Sequence, residues 1–159
     1  MKETMMKGES RKLLMEQLDR KLRDVKPVTR VILPERGWLH AIRNALGMSL
    51  RQLGARLNIS PQSVKEIEDR EADGSVTLRS LREVANALDM NLVYALIPRE
   101  ESLERMIEKR AEEVARSIVL RTSRTMELED QDVSKERIEK AIRSKADELI
   151  RTMPRYLWD

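Results

Sequence analysis

The chain contains no cysteine and no phenylalanine among its 159 residues. Without cysteine there is no disulfide, no thiolate-held zinc and no iron–sulfur cluster, which fits a reducing compartment. Aromatic residues are 3% of the chain, so the core must be aliphatic. Nine methionines are available to fill irregular gaps or to line a partner surface. Only 5 glycines and 5 prolines interrupt a chain that is 40% hydrophobic and 37% charged, the profile of a soluble, helix-rich protein. No apolar run approaches the roughly 18 residues that a membrane span needs. The N-terminus is charged from Lys2 and lacks an apolar signal core, so a cytoplasmic protein is expected. There is one histidine, His40, and no Gly-rich phosphate loop, H-E-x-x-H or G-x-S-x-G. An enzyme is not expected, nor a metal or cofactor, and His40 reads as a surface or packing residue.

The net charge is +3, unevenly spread. Residues 1–36 carry 10 Lys/Arg against 6 Asp/Glu, and residues 37–74 carry 5 against 5. Residues 75–98 carry 2 against 2, and residues 99–159 carry 14 against 15. The basic excess therefore lies in the N-terminal arm. Three regions are expected: a basic helical arm (1–36), a central domain (37–98) and a helical extension (99–159).

Met1–Glu9 reads as a loose tail. Leu13, Leu14, Leu18, Leu22 and Val25 recur at helical spacing, so Arg11–Val25 is predicted to be an amphipathic helix, ended by Pro27. Val28–Arg36 is expected to be an extended linker. Helices follow over Trp38–Leu46, from Ser49, from Ser60 and over Leu78–Leu88. Asn91–Ile97 (NLVYALI) is apolar and stops at Pro98, the pattern of a short strand. A lone strand needs a partner. Asn91, Leu92, Val93, Tyr94, Ala95, Leu96 and Ile97 are expected to pair with the same strand of a second copy, making a homodimer. Arg30–Leu33 (RVIL) is the alternative partner. Helices are predicted again over Glu101–Leu120 and Ser134–Met153, with an acidic loop at Glu127–Asp132. Tyr156-Leu157-Trp158 is either a partner anchor or a tail folded onto the core. The fold class is all-α with this one short strand.

The segment Ser49–Arg70 (SLRQLGARLNISPQSVKEIEDR) fits two helices crossing steeply through a short turn. Ser49 and Gln52 form the S-x-x-Q capping box. Leu50, Leu53 and Leu57 give the first helix an inner face, and Gly54 is small where the second helix passes. Asn58 suits a left-handed turn position. Ile59 is expected to plug the gap between the helices. Ser60 caps the second helix, Pro61 suits its first position, and Val64 and Ile67 face inward. In this arrangement the second helix enters the major groove of double-stranded DNA. Its outward residues Pro61, Gln62, Ser63, Lys65 and Glu66 are the candidates for base contact. Gln62 matches an adenine edge and Lys65 a guanine. Phosphate contacts are expected at helix starts and nearby cations: Ser49, Arg51, Gln52, Arg56, Ser60, Ser75, Thr77 and Arg79. Arg43 and Glu68 are expected to form a structural ion pair between the preceding helix and the second helix.

Ser49, Leu53-Gly54, Leu57-Asn58-Ile59-Ser60, Gln62, Val64 and Ile67-Glu68 resemble the lambda-repressor-like, or Xre-type, regulators. Arg36–Gly54 (RGWLHAIRNALGMSLRQLG), Thr77–Glu100 and Thr125–Gln131 (TMELEDQ) resemble the bacterial family called mobile mystery protein A. The first resemblance implies a dimeric operator-binding repressor, often of its own operon. The second implies a co-encoded partner with a Fic domain, the fold of AMP-transferring toxins, and thus an antitoxin-like role. Thr125–Glu129 has the Ser/Thr-x-x-x-Glu spacing of Fic inhibitory helices. Asp130 follows where Gly or Asn is the rule, so the stretch reads as a charged loop.

Overall fold

The computed structural model describes residues 2–127 and 134–159, with side chains described over 8–123 and 134–159. The chain divides into two compact units, Pro27–Ala95 and Met1–Lys26 with Leu96–Asp159. Among the described residues every regular element is helical.

The first unit holds a 3-10 turn (Lys26–Arg30), α2 (Gly37–Ala45), α3 (Leu50–Leu57), α4 (Pro61–Asp73) and α5 (Leu78–Ala87). Its core is Leu39, Leu53, Val64, Val84 and Leu88, with Ile42, Leu50, Leu57, Ile67 and Leu81 packed around them. All are aliphatic, as the scarcity of aromatics requires. Each helix contributes two or three apolar positions from one face, so the core forms only when the helices pack together.

The second unit holds α1 (Lys2–Val25), α6 (Leu103–Glu127), α7 (Lys135–Thr152) and a closing 3-10 turn (Arg155–Trp158). Residues Ala111 and Ala115, one turn apart and wholly buried on α6, meet Ile142, Ala146 and Leu149 of α7. Small side chains on α6 let the two backbones approach closely. Arg116 pairs with Glu139 at 3.4 Å, while the earlier Arg110 donates to the carbonyl of the later Leu157 at 2.6 Å. The order reverses, so α6 and α7 are antiparallel.

Residues 2–9 join α1 where a loose tail was expected. Lys, Glu and Met favour helix, and no proline intervenes. Gly8 is accommodated because α1 meets the end of α7 there: a Cβ at Gly8 would lie 3.2 Å from the Arg151 carbonyl oxygen. Arg11 donates to the Met153 carbonyl at 3.2 Å. Further along, Asp19 accepts the Leu103 and Glu104 N–H groups at 2.7 and 3.2 Å. A carboxylate at the positive end of α6 satisfies two donors that lack partners within the helix.

The expected strand at Asn91–Ile97 is not formed within the chain; those residues lie outside any regular element. Arg30–Leu33 forms none either, since Arg30 closes the 3-10 turn. A strand exists only as part of a ladder, and neither segment supplies the other with one. The side chains of Thr125–Gln131 and most of the Glu127–Asp132 segment lie outside the described residues. Of the C-terminal cluster, Leu157 is buried in the α6–α7 core, whereas Tyr156 and Trp158 are exposed.

The α6–α7 seam generates a test. Ala115→Leu should be destabilising by about 1–3 kcal/mol, because a wholly buried site has no room for three added carbons. Thermal unfolding followed by helical circular dichroism will measure it.

Candidate nucleic-acid interface

The α3–turn–α4 segment is built by local chemistry. Ser49 caps α3 reciprocally: its hydroxyl accepts the Gln52 N–H at 3.2 Å, and the Gln52 side chain accepts the Ser49 N–H at 2.8 Å. Asn58 ends α3 in the left-handed region (φ 55°, ψ 41°), which turns the chain back on itself. Ser60 then accepts the Ser63 N–H at 3.0 Å, with Pro61 in the first turn of α4. Gly54 sits where the turn folds over α3. A Cβ there would lie 2.7 Å from the Ile59 carbonyl oxygen and 3.4 Å from Val64. Ile59 itself is exposed and does not plug the helix gap. Its backbone fills that place instead, donating its N–H to the Gly54 carbonyl at 3.0 Å.

The orientation of α4 is held from α2. Arg43 donates through Nε to Glu68 Oε1 at 2.6 Å and through Nη2 to Oε2 at 3.0 Å, a two-pronged fork. The two residues are only 7% and 4% exposed. Nη1 of Arg43 donates onward to Asn44 Oδ1 at 3.0 Å and to the Met48 carbonyl at 2.9 Å. His40 completes the cluster. Its Nδ1 lies 3.0 Å from Glu68 Oε2, and its Nε2 lies 2.9 Å from Asn44 Nδ2. One neutral tautomer serves both, with Nδ1–H donating to the carboxylate and Nε2 accepting from the amide. Arg43 Nη2 also lies 3.4 Å from Nδ1; in that tautomer this is proximity and not a bond.

Burial by itself pushes the Glu68 carboxyl up. The hydrogen bonds from Arg43 and His40, with the Arg43 charge, outweigh it and hold the group below its usual range. The Glu68 hydrogen bond raises the Arg43 guanidinium against the opposing effect of burial. One turn further on, Glu71 accepts the Trp38 and Leu39 N–H groups at 2.9 and 2.8 Å and so caps α2. Gly37 makes room for it, at φ +84° and with a hypothetical Cβ 2.7 Å from the Glu71 carboxyl carbon.

The roles of His40, Asn44 and Glu71 escaped the sequence, although spacing held a signal. His40 and Asn44 flank Arg43 at three residues before and one after. Glu71 follows Glu68 by three, on the same helix face.

Residues 39–94 match the family model described as helix-turn-helix. That segment is a helix-turn-helix domain of the lambda-repressor-like type, with α3 and α4 as its two signature helices. No curated protein and no solved structure matches the chain.

Around the helix-turn-helix, the predicted site residues fall into three groups. Pro61, Gln62, Lys65 and Glu66 are exposed on the first turns of α4, and Ser63 is half-buried with its hydroxyl 2.9 Å from Ser60 Oγ. Lys65 is drawn to Asp69 at 2.8 Å, and that hydrogen bond holds the Asp69 carboxyl below its usual range. Glu66 has Arg70 at 3.9 Å. Ser49, Gln52, Ser60 and Thr77 are caps, Thr77 accepting the Ser80 N–H at 3.1 Å. Ser75 differs from expectation: its N–H is taken by Asp73 and the Arg70 carbonyl, and its hydroxyl by Asp73. The N–H groups of Leu50 and Arg51 in α3, Gln62 in α4, and Leu78 and Arg79 in α5 have no acceptor within their helices and are not taken by the caps.

Among the arginines, Arg51 is exposed. Arg79 pairs with Glu83 at 3.1 Å. Arg56 donates to the Ala87 carbonyl at 2.9 Å and lies 3.8 Å from Asp89, so it ties α3 to the end of α5.

Two measurements follow from this geometry. Gly54→Ala should destabilise the domain by about 1–3 kcal/mol, because the added methyl meets backbone that cannot swing away. Helix propensity alone would give the opposite sign. Glu68→Gln should cost about 3–5 kcal/mol at neutral pH by leaving Arg43 buried without its counter-charge. The pH dependence has a defined sign. The Glu68 carboxyl is lowered from an ordinary value of 4.5, so its stabilisation is full above that pH. It is lost as pH falls from there through the folded-state value. Between neutral pH and strong acid, wild type should therefore lose more stability than Glu68→Gln in chemical denaturation series.

Proposed function

We propose that the chain is a sequence-specific regulator that binds double-stranded DNA, not an enzyme, and that it works in the cytoplasm as a homodimeric repressor of its own operon. The supporting observation is the exposed N-terminal half of α4 on a rigid mount. Gln62 stands free at the second helical position, where both its amide groups are available to an adenine edge. Lys65 exchanges Asp69 for a guanine, at little cost because a surface ion pair of this kind holds weakly. Pro61, Ser63 and Glu66 complete the base-facing surface.

The open N–H groups of α3, α4 and α5 take phosphate oxygens, with Arg51 and Arg79 adding charge. Thr77, Ser49, Gln52 and Ser60 serve by holding those helix starts open. Ser75 and Arg56 contribute less, since their donors are committed within the domain. The dimer forms through the Asn91–Ile97 segment, whose Val93, Tyr94 and Leu96 are exposed.

A second reading has its own support. Leu13, Leu14 and Leu18 of α1, with Tyr156 and Trp158, leave large apolar side chains in solvent. These suit an antitoxin-like role in which the helical unit holds a co-encoded Fic-domain protein, as the likeness of residues 36–54, 77–100 and 125–131 to mobile mystery protein A implies. The two roles are compatible.

Binding to DNA from upstream of the protein's own gene, measured at two salt concentrations, tests the main reading. Wild type should prefer that DNA over a scrambled sequence and weaken as salt rises. Gln62→Ala/Lys65→Ala should lose about 1–3 kcal/mol of that preference for each contact removed. Equal binding of both sequences by wild type would refute the repressor.

A further inference from the structure

Two short stretches of the helix-turn-helix unit are built unlike the rest of it. Residues 31–33 are Val-Ile-Leu, and residues 92–95 are Leu-Val-Tyr-Ala. Both are uncharged and rich in residues that favour strands. Most of their side chains stand in solvent, Leu92 being half-buried: Ile32 is 91% exposed, Leu33 70%, Val93 75% and Tyr94 64%. Their backbones are open as well. The Val31 N–H closes the preceding turn on the Val28 carbonyl at 3.0 Å, and no other backbone group of 31–33 or 91–95 meets a backbone partner among the described residues.

An open, apolar, uncharged stretch is what a monomeric protein avoids, because it templates pairing with other chains. Monomers blunt such edges with lysine or with inward-pointing charge, and neither stretch has one. What each lacks is a row of backbone donors and acceptors, which a small ligand does not supply and another extended segment does. Prolines limit how far such pairing runs: Pro34 follows the first stretch directly, and Pro98 follows the second within three residues. Proline cannot donate to a ladder, so the pairing stops there and favours a closed pair over a fibre.

We propose that residues 31–33 of one copy pair with residues 92–95 of a second copy, and reciprocally, flanking the self-pairing of the 91–97 segments. The result is a small intermolecular sheet with the 31–33 stretches as its outer strands. This rests on the dimeric reading above and adds a second, separate segment to the interface. Because neither stretch pairs with the other inside one chain, the sheet belongs to the assembly alone.

The absence of native cysteine permits a direct test. Full-length Ile32→Cys and Tyr94→Cys are made separately, one carrying a mass tag, then mixed and mildly oxidised. Each site is exposed, so folding should survive, and helical circular dichroism checks it. A mixed 32–94 disulfide is expected. In parallel, Ile32→Lys and Tyr94→Lys should each weaken dimerisation in sedimentation equilibrium by at least about tenfold. If Tyr94→Lys weakens the dimer while Ile32→Lys does not and no 32–94 disulfide forms, the exchanged pairing is wrong and the 91–97 dimer stands. If wild type sediments as a monomer at all concentrations, both are wrong. DNA binding is scored separately and does not enter either outcome.

Discussion

The Arg43–Glu68 fork sets the geometry on which the candidate interface depends. Burying two opposite charges is costly, and their attraction repays it only when every remaining donor and acceptor finds a partner. Here four of the five guanidinium N–H groups and both carboxylate oxygens are engaged. The guanidinium uses Nε, Nη1 and Nη2 on Glu68, Asn44 and the Met48 carbonyl. The carboxylate takes His40 in addition. Among the described residues no buried side-chain polar atom lacks a hydrogen bond. A pair held by a two-pronged fork is directional, unlike the aliphatic contacts beneath it. Leu39, Leu53 and Val64 bring α2, α3 and α4 together but allow small rotations. The fork and the Glu71 cap on α2, one helical turn apart, fix how α4 is rolled. The roll of α4 decides which residues face outward, and so makes Gln62 and Lys65 available together.

The second constraint is steric. The turn between α3 and α4 is short because Asn58 takes a left-handed conformation and Gly54 lets the Ile59 carbonyl settle onto α3. Glycine within a helix costs about 1 kcal/mol relative to alanine. The loss is offset by the close crossing that places Val64 in the core beside Leu53. Helix propensity and tertiary packing conflict at this one position, and packing prevails.

Much of the helix-turn-helix was legible because its determinants are local. Capping residues, a left-handed asparagine and helix-spaced apolar positions are separated by a few residues, and the helices of α3, α4 and α5 lie where those signals place them. The Arg43–Glu68 pairing spans 25 residues and was readable only through the template that the local signals had already established. Contacts without such a template left little trace. Asp19 caps a helix 84 residues away, and nothing in its surroundings distinguishes it from any surface aspartate. The apolar pattern at 91–97 was real, but composition reports only that a segment suits a ladder. Whether a ladder forms depends on a neighbour, and a single chain need not provide it.

The charge distribution ties the proposed dimer to the proposed activity. Residues 37–74 carry equal numbers of acidic and basic side chains, and both cations of α4, Lys65 and Arg70, lean on carboxylates of the same helix. One such unit offers DNA few uncommitted cations, Arg51 foremost, together with the helix starts. Affinity from phosphate neutralisation grows with each contact through the counterions it releases. A weakly charged unit therefore gains most from being held beside a second copy, which doubles its phosphate contacts and its base-reading helices. On this view the open stretches at 31–33 and 92–95 and the exposed start of α4 answer to one requirement. In the proposed dimer each unit is mounted rigidly enough to read a half-site, and its neutrality is made good by the second copy.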